Sequence, residues 1–99
     1  MEAYQQRADE TMDALHDAFD DLAEQHSDVD VEYSSGVMTL RLPVGTYVIN
    51  KQPPNKQIWL SSPESGPKRY DSEGQEWVYA RDKSTLRGLL EREVFSRFH

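Results

Sequence analysis

The chain has 99 residues, 36% of them hydrophobic, a formal net charge of −7 and no cysteine. That is enough for one domain, residues 1–99, with a single thin core, and too little for two. Without thiols, a disulfide, a thiolate zinc site, a cysteine nucleophile and a self-held iron–sulfur cluster are all excluded.

Charge is unevenly spread. Residues 1–32 hold eleven acids against one base, Arg7, whereas residues 33–99 hold ten bases against seven acids. So acidic a first third argues against a nucleic-acid partner and for cations or a basic surface. No apolar run approaches membrane-spanning length, so no membrane partner is expected. The start, Met1-Glu2-Ala3, has neither a signal-peptide core nor an Arg-rich presequence. An import address for the native protein is therefore expected to lie outside this sequence.

From Tyr4 to Gln25 the spacing predicts an amphipathic helix. Tyr4, Ala8, Met12, Leu15, Phe19 and Leu22 form its apolar stripe. Asp9, Asp13, Asp17, Asp20 and Glu24 run along the other side, flanked by Glu10 and Asp21. The pairs Asp9/Asp13, Asp13/Asp17, Asp17/Asp21 and Asp20/Glu24 all repel, at a combined cost of roughly 1–2 kcal/mol at low salt. After a loop at Ser27-Asp28, Val29–Tyr33 alternates as a strand and puts Asp30 and Glu32 on one face. Ser34-Ser35-Gly36 reads as a turn before the strand Val37–Leu42, whose Met38, Leu40 and Leu42 point inward.

Pro43-Val44-Gly45 turns the chain into Thr46–Gln52. There Tyr47 and Ile49 take the apolar face, and Val48, Asn50 and Gln52 the polar one. Pro53-Pro54-Asn55-Lys56 makes a hairpin loop into Gln57–Ser61. This last strand holds a contradiction. Ile58 and Leu60 share the apolar side, which leaves Trp59 with Gln57 and Ser61 on the polar side. An indole among amides has the composition of a protein-binding hot spot, unless a loop of its own chain covers it. Ser61–Pro67 reads as a loop, and Lys68-Arg69-Tyr70 and Glu76–Tyr79 as short strands joined around Ser72-Glu73-Gly74. Lys68 and Arg69 are expected at the basic edge of the Trp59 surface. Ser84 is the expected N-cap of a second helix with Leu86, Leu89, Leu90 and Val94 on one side, weakened slightly by Gly88.

Helix, strands linked by tight turns, then helix predicts an α+β two-layer sandwich: an antiparallel sheet with both helices on one face. The other face, with Asn50, Gln52, Gln57, Trp59 and Arg41, looks outward. The carboxylates on successive helical turns offer weak, quickly exchanging sites to hard divalent cations. His16 lies at the edge of that ridge and is placed to add a nitrogen ligand. The competing reading is a merely solvated acidic face. His26 and His99 read as exposed loop and terminal residues. No nucleophile elbow, P-loop, HExxH or dinucleotide fingerprint is present, so no catalytic residue is assigned.

The run GTYVINKQPPNKQIWLSSPESGPKRYD, with SSGVMTL before it and EWVY after it, resembles frataxin, specifically the fungal mitochondrial type, and the likeness extends from Tyr4 to Val94. The resemblance implies iron binding by Asp9, Glu10, Asp13, Asp17, Asp20, Asp21, Glu24, Asp30 and Glu32, with Fe²⁺ held weakly and no prosthetic group. It implies docking through Asn50, Lys51, Gln52, Gln57, Trp59 and Arg69 on a cysteine desulfurase–scaffold complex of the mitochondrial matrix. There the protein would speed sulfur transfer during iron–sulfur cluster assembly and supply Fe²⁺, for haem synthesis as well. It would be a monomer, with iron-dependent oligomers. The alternative activity is a ferroxidase that oxidises Fe²⁺ and stores ferric iron, expected to be slow because an open helix face encloses no metal. Two departures stand out: Ser72 follows Asp71 where the vertebrate pattern has Trp, and the C-terminal extension that covers the helix groove in vertebrate members is absent from this sequence.

Overall fold

The computed structural model describes residues 2–98. Helix α1 (Glu2–Gln25) leads into strands β1 (Asp30–Ser34), β2 (Val37–Leu42), β3 (Gly45–Gln52), β4 (Gln57–Ser62), β5 (Gly66–Glu73) and β6 (Glu76–Tyr79), and helix α2 (Leu86–Glu93) follows. Each strand pairs antiparallel with the next, giving a six-stranded meander in sequence order. This is the α+β two-layer sandwich expected.

Strand alternation decides the two faces. Met38, Leu40, Leu42, Tyr47, Ile49, Ile58, Leu60 and Tyr70 form one buried cluster with Tyr4, Ala8, Met12, Phe19 and Leu22 of α1 and Leu86, Leu89 and Leu90 of α2. Leu15 is only partly buried at the edge of that cluster. Polar contacts lock the layers together. The Tyr4 hydroxyl donates to the Gln57 carbonyl at 2.7 Å, Arg7 Nε to Ser72 Oγ at 2.8 Å, and Trp77 Nε1 to Thr11 Oγ1 at 2.8 Å.

At the far end, the Glu93 carboxylate accepts from Tyr47 (2.9 Å), Ser62 (2.7 Å) and Ser65 (2.7 Å), which ties the end of α2 to β3 and to the β4–β5 turn. Burial alone would raise the Glu93 pKa, but these three hydroxyl donors outweigh it and hold the group below the ordinary glutamate range. The buried Tyr47 hydroxyl, beside that carboxylate, is pushed up to about 12.

Two boundaries differ from the sequence reading. The β4–β5 connection is a tight turn rather than a long loop, because β5 already begins at Gly66. The N-cap of α2 is Thr85, not Ser84: the Thr85 side chain accepts from the Gly88 N–H at 3.0 Å. Ser84 is drawn away because its N–H and hydroxyl both donate to Asp82 Oδ1, at 2.9 and 2.6 Å. Gly45, at φ +146°, has a special requirement: a Cβ there would lie 2.6 Å from Pro63 Cβ, so the β2–β3 turn can rest on the β4–β5 turn only without a side chain.

Candidate docking face and acidic ridge

The helix-free face of the sheet has Trp59 near its centre. Asn50, Trp59 and Arg69 stand side by side across β3, β4 and β5, and the next register row is Gln52, Gln57 and Asp71. Because Ile58 and Leu60 are buried, the indole between them must point outward, where it is half-buried rather than covered by a loop. Its surroundings are ordered. Trp59 Nε1 donates to Gln57 Oε1 at 2.7 Å, and Gln57 Nε2 donates to Asp71 Oδ1 at 2.9 Å. The Arg69 guanidinium sits over the ring, 4.5 Å from its centroid. Nearby Val37, 37% exposed, adds an apolar edge beside Asn50.

Of the residues expected on this face, Asn50, Gln52, Gln57, Trp59 and Arg69 are together, but Lys51 is not. It pairs in register with the inward-facing Ile58, so alternation turns it to the helix side, where Nζ pairs with Asp9 of α1. The carboxylate beside it raises the Lys51 pKa. Lys68 needs the same correction. It shares the helix side with Tyr70 and lies over the Tyr79 ring, 4.9 Å from its centroid.

The ridge on α1 is as long as the sequence implied. Asp9, Glu10, Asp13, Asp17, Asp20, Asp21 and Glu24 are all exposed, and the last turn of the helix carries no base. Asp30 and Glu32 belong elsewhere. Asp30 pairs in register with Arg41, whose neighbours Leu40 and Leu42 point inward, so both acids lie on the helix-free face and bind Arg41 Nη1 at 3.0 and 2.6 Å. Among the described residues, no three His, Asp or Glu side chains converge as a metal cage. Both described histidines meet aromatic rings, and His26 corrects a further expectation. His16 packs on Tyr33 at 5.6 Å between ring centroids, and His26 is a partly buried ring 4.5 Å from Phe98 rather than an exposed loop residue. His99 lies outside the described residues. A separate groove of about 630 Å³ runs between α1, β6 and α2, lined by Ala14, Leu15, Trp77, Leu86, Leu90 and Phe95, and holds none of the expected site residues.

Asp71 is the member of the face that sequence reasoning missed. Its place beside Gln57 depends on the β4–β5 register, which composition does not reveal.

Comparison with known proteins places this geometry in a family. The profile of the frataxin-like domain matches residues 1–99. The chain is 54% identical over 97 residues to the mitochondrial frataxin homolog of Saccharomyces cerevisiae, covering 95% of this chain and 56% of that protein. It is 51% identical over 100 residues to that of Schizosaccharomyces pombe, covering 96% and 63%. It thus spans a little over half the length of these curated relatives. A bacterial relative from Pseudomonas fluorescens, 38% identical over 88 residues and covered to 77%, is named as the iron–sulfur cluster assembly protein CyaY. Among solved structures, trimeric yeast frataxin complexed with ferrous iron superposes with a TM-score of 0.82 at 54% identity, over 91% of this chain and 83% of that one.

Proposed function

Because the chain belongs to the frataxin-like domain family, we propose that it serves iron–sulfur cluster assembly in mitochondria by docking its helix-free sheet face on a cysteine desulfurase–scaffold complex and promoting persulfide transfer. The observation that carries this reading is the half-buried Trp59, outward on the sheet and braced by Gln57 and Arg69. Buried aromatics ringed by polar groups dominate binding energy at interfaces, and a side chain already held in its bound shape loses little entropy on docking.

The chemistry limits the role. Sulfur passes from one cysteine to another by attack of a thiolate on the outer sulfur of a persulfide. With no cysteine in the chain, sulfur is not relayed through this domain. Its contribution is to place the partners' reacting sulfurs, and orientation alone is worth several orders of magnitude in rate.

The α1 ridge is the second surface. Its exposed carboxylates suit Fe²⁺ as a weakly held, exchangeable cargo, with water completing the coordination. Names of the relatives support both halves: one is an iron–sulfur assembly protein, and one frataxin structure holds ferrous iron.

The test is persulfide transfer to the scaffold in the presence of the wild-type protein, Trp59→Ala, or Asp13→Asn/Asp17→Asn. The reading expects Trp59→Ala to abolish the acceleration and the double variant to retain it when iron is supplied in excess. Full acceleration by Trp59→Ala would overturn it.

A further inference from the structure

Asp is a poor strand former, yet Asp71 stands within β5 and makes no ion pair among the described residues. A residue that breaks a local rule without stabilising the fold invites a functional explanation. The one side-chain hydrogen bond that it makes among the described residues supplies one. Asp71 Oδ1 takes a hydrogen bond from Gln57 Nε2 at 2.9 Å, and Gln57 Oε1 takes the indole N–H of Trp59 at 2.7 Å.

A primary amide has two ends that are nearly the same shape and opposite in hydrogen-bonding character. Which end faces Trp59 is decided by the partner at the other end. An ionised carboxylate only accepts, so it must meet the amide NH₂, and the amide oxygen is thereby turned to the indole, which only donates. The Gln57 backbone is pinned from below by the Tyr4 hydroxyl at 2.7 Å, and the residue after Asp71 is pinned by Arg7 through Ser72 at 2.8 Å. The middle of the relay and the residue next to its Asp71 end are therefore both tied to α1.

We propose that Asp71 is a positioning residue for the docking face: through the Gln57 amide it occupies the Trp59 N–H and holds the ring in one orientation. The inference rests on the docking role proposed above and adds a restriction on the partner. With its N–H already used, the indole offers its ring, and the hydrogen bonds that select the partner come from Asn50, Gln52 and Arg69.

The test reads the indole N–H signals of ¹⁵N-labelled protein. Trp77, whose N–H is taken by Thr11 at 2.8 Å, is the internal control. In Asp71→Leu the Trp59 signal is expected to move upfield and exchange with water about fivefold faster or more, the scale of one hydrogen bond, while Trp77 stays in place. Asp71→Asn, which keeps an acceptor oxygen, should restore the wild-type signal, and Gln57→Leu should reproduce the loss. Asp71→Ala, which also lacks a side-chain acceptor, is the fallback if the Leu variant fails to fold. An unshifted Trp59 signal in the folded Leu or Ala variant would overturn the proposal.

Affinity for the desulfurase–scaffold complex supplies the second readout. Asp71→Leu should weaken it about fivefold, with nothing further lost in a Trp59→Phe background that has no N–H to hold. An equal loss in that background would mean that Asp71 meets the partner directly, and the relay would be wrong. Unchanged affinity in Trp59→Ala would remove the docking role itself, and the indole signals would still decide what Asp71 does to Trp59.

Discussion

Trp59 and Arg69 face each other directly across the β4–β5 ladder, with the guanidinium carbon 4.5 Å from the centre of the indole ring. The pair joins a half-buried indole and an exposed guanidinium into one amphipathic unit. Arg69→Ala should lower stability by about 0.5–1 kcal/mol, the value of an exposed cation–π contact. It should also broaden the Trp59 side-chain resonances. Arg69→Lys should recover little of this, because a point charge does not stack as a planar guanidinium does. Denaturant midpoints and side-chain NMR of the three proteins check it.

Lys51 should behave as a strut rather than a contact residue. Lys51→Met breaks its pair with Asp9 and is expected to lower stability by about 0.5–1 kcal/mol. Its affinity for the partner complex should stay within about twofold of wild type, inside the usual additivity error for uncoupled sites. Asn50→Ala and Gln52→Ala on the outward face should show the reverse pattern.

The Glu93 cluster sets a pH dependence whose sign follows from its depressed pKa. The folded state releases this proton more readily than the unfolded chain, so the stabilisation is present above about pH 4.5 and is lost as pH falls through the lower folded value. Glu93→Gln should therefore cost about 1–2 kcal/mol near neutrality, with the gap to wild type closing in acid. At the basic end, Tyr47 is raised from 10.0 to about 12, so its contribution fades as pH climbs through that interval. Urea titrations from acid to alkaline pH would reveal both limbs.

The ridge predicts an inverse relation between stability and charge. Asp13→Asn with Asp17→Asn relieves three repulsive pairs and should raise stability by about 1 kcal/mol at low ionic strength. The gain should shrink in high salt, where screening already quiets the repulsion. Fe²⁺ should raise the wild-type Tm by more than NaCl of equal ionic strength does, and raise that of the double variant less.

Much of this was readable in one dimension. The 3.6-residue stripe of α1 and the alternation around Ile58-Trp59-Leu60 are local signals, and they placed both the core face and the outward indole. Alternation also sets Lys51 beside Tyr47 and Ile49. It was the family likeness, not the pattern, that assigned Lys51 to docking. Features that depend on distant partners stayed hidden. His16 and His26 are decided by Tyr33 and Phe98, and Asp30 and Glu32 by Arg41, none of them neighbours in sequence. Ser84 and Thr85 are equally able to cap a helix, and Asp82 chose between them. Asp71 needed a strand register.

The most direct measurement is the affinity of Trp59→Ala for the desulfurase–scaffold complex, set beside its melting temperature. A hot spot at the centre of the sheet predicts a loss of about 2 kcal/mol or more, roughly thirtyfold in Kd, with the fold intact. A folded Trp59→Ala that binds as tightly as the wild type would contradict the account.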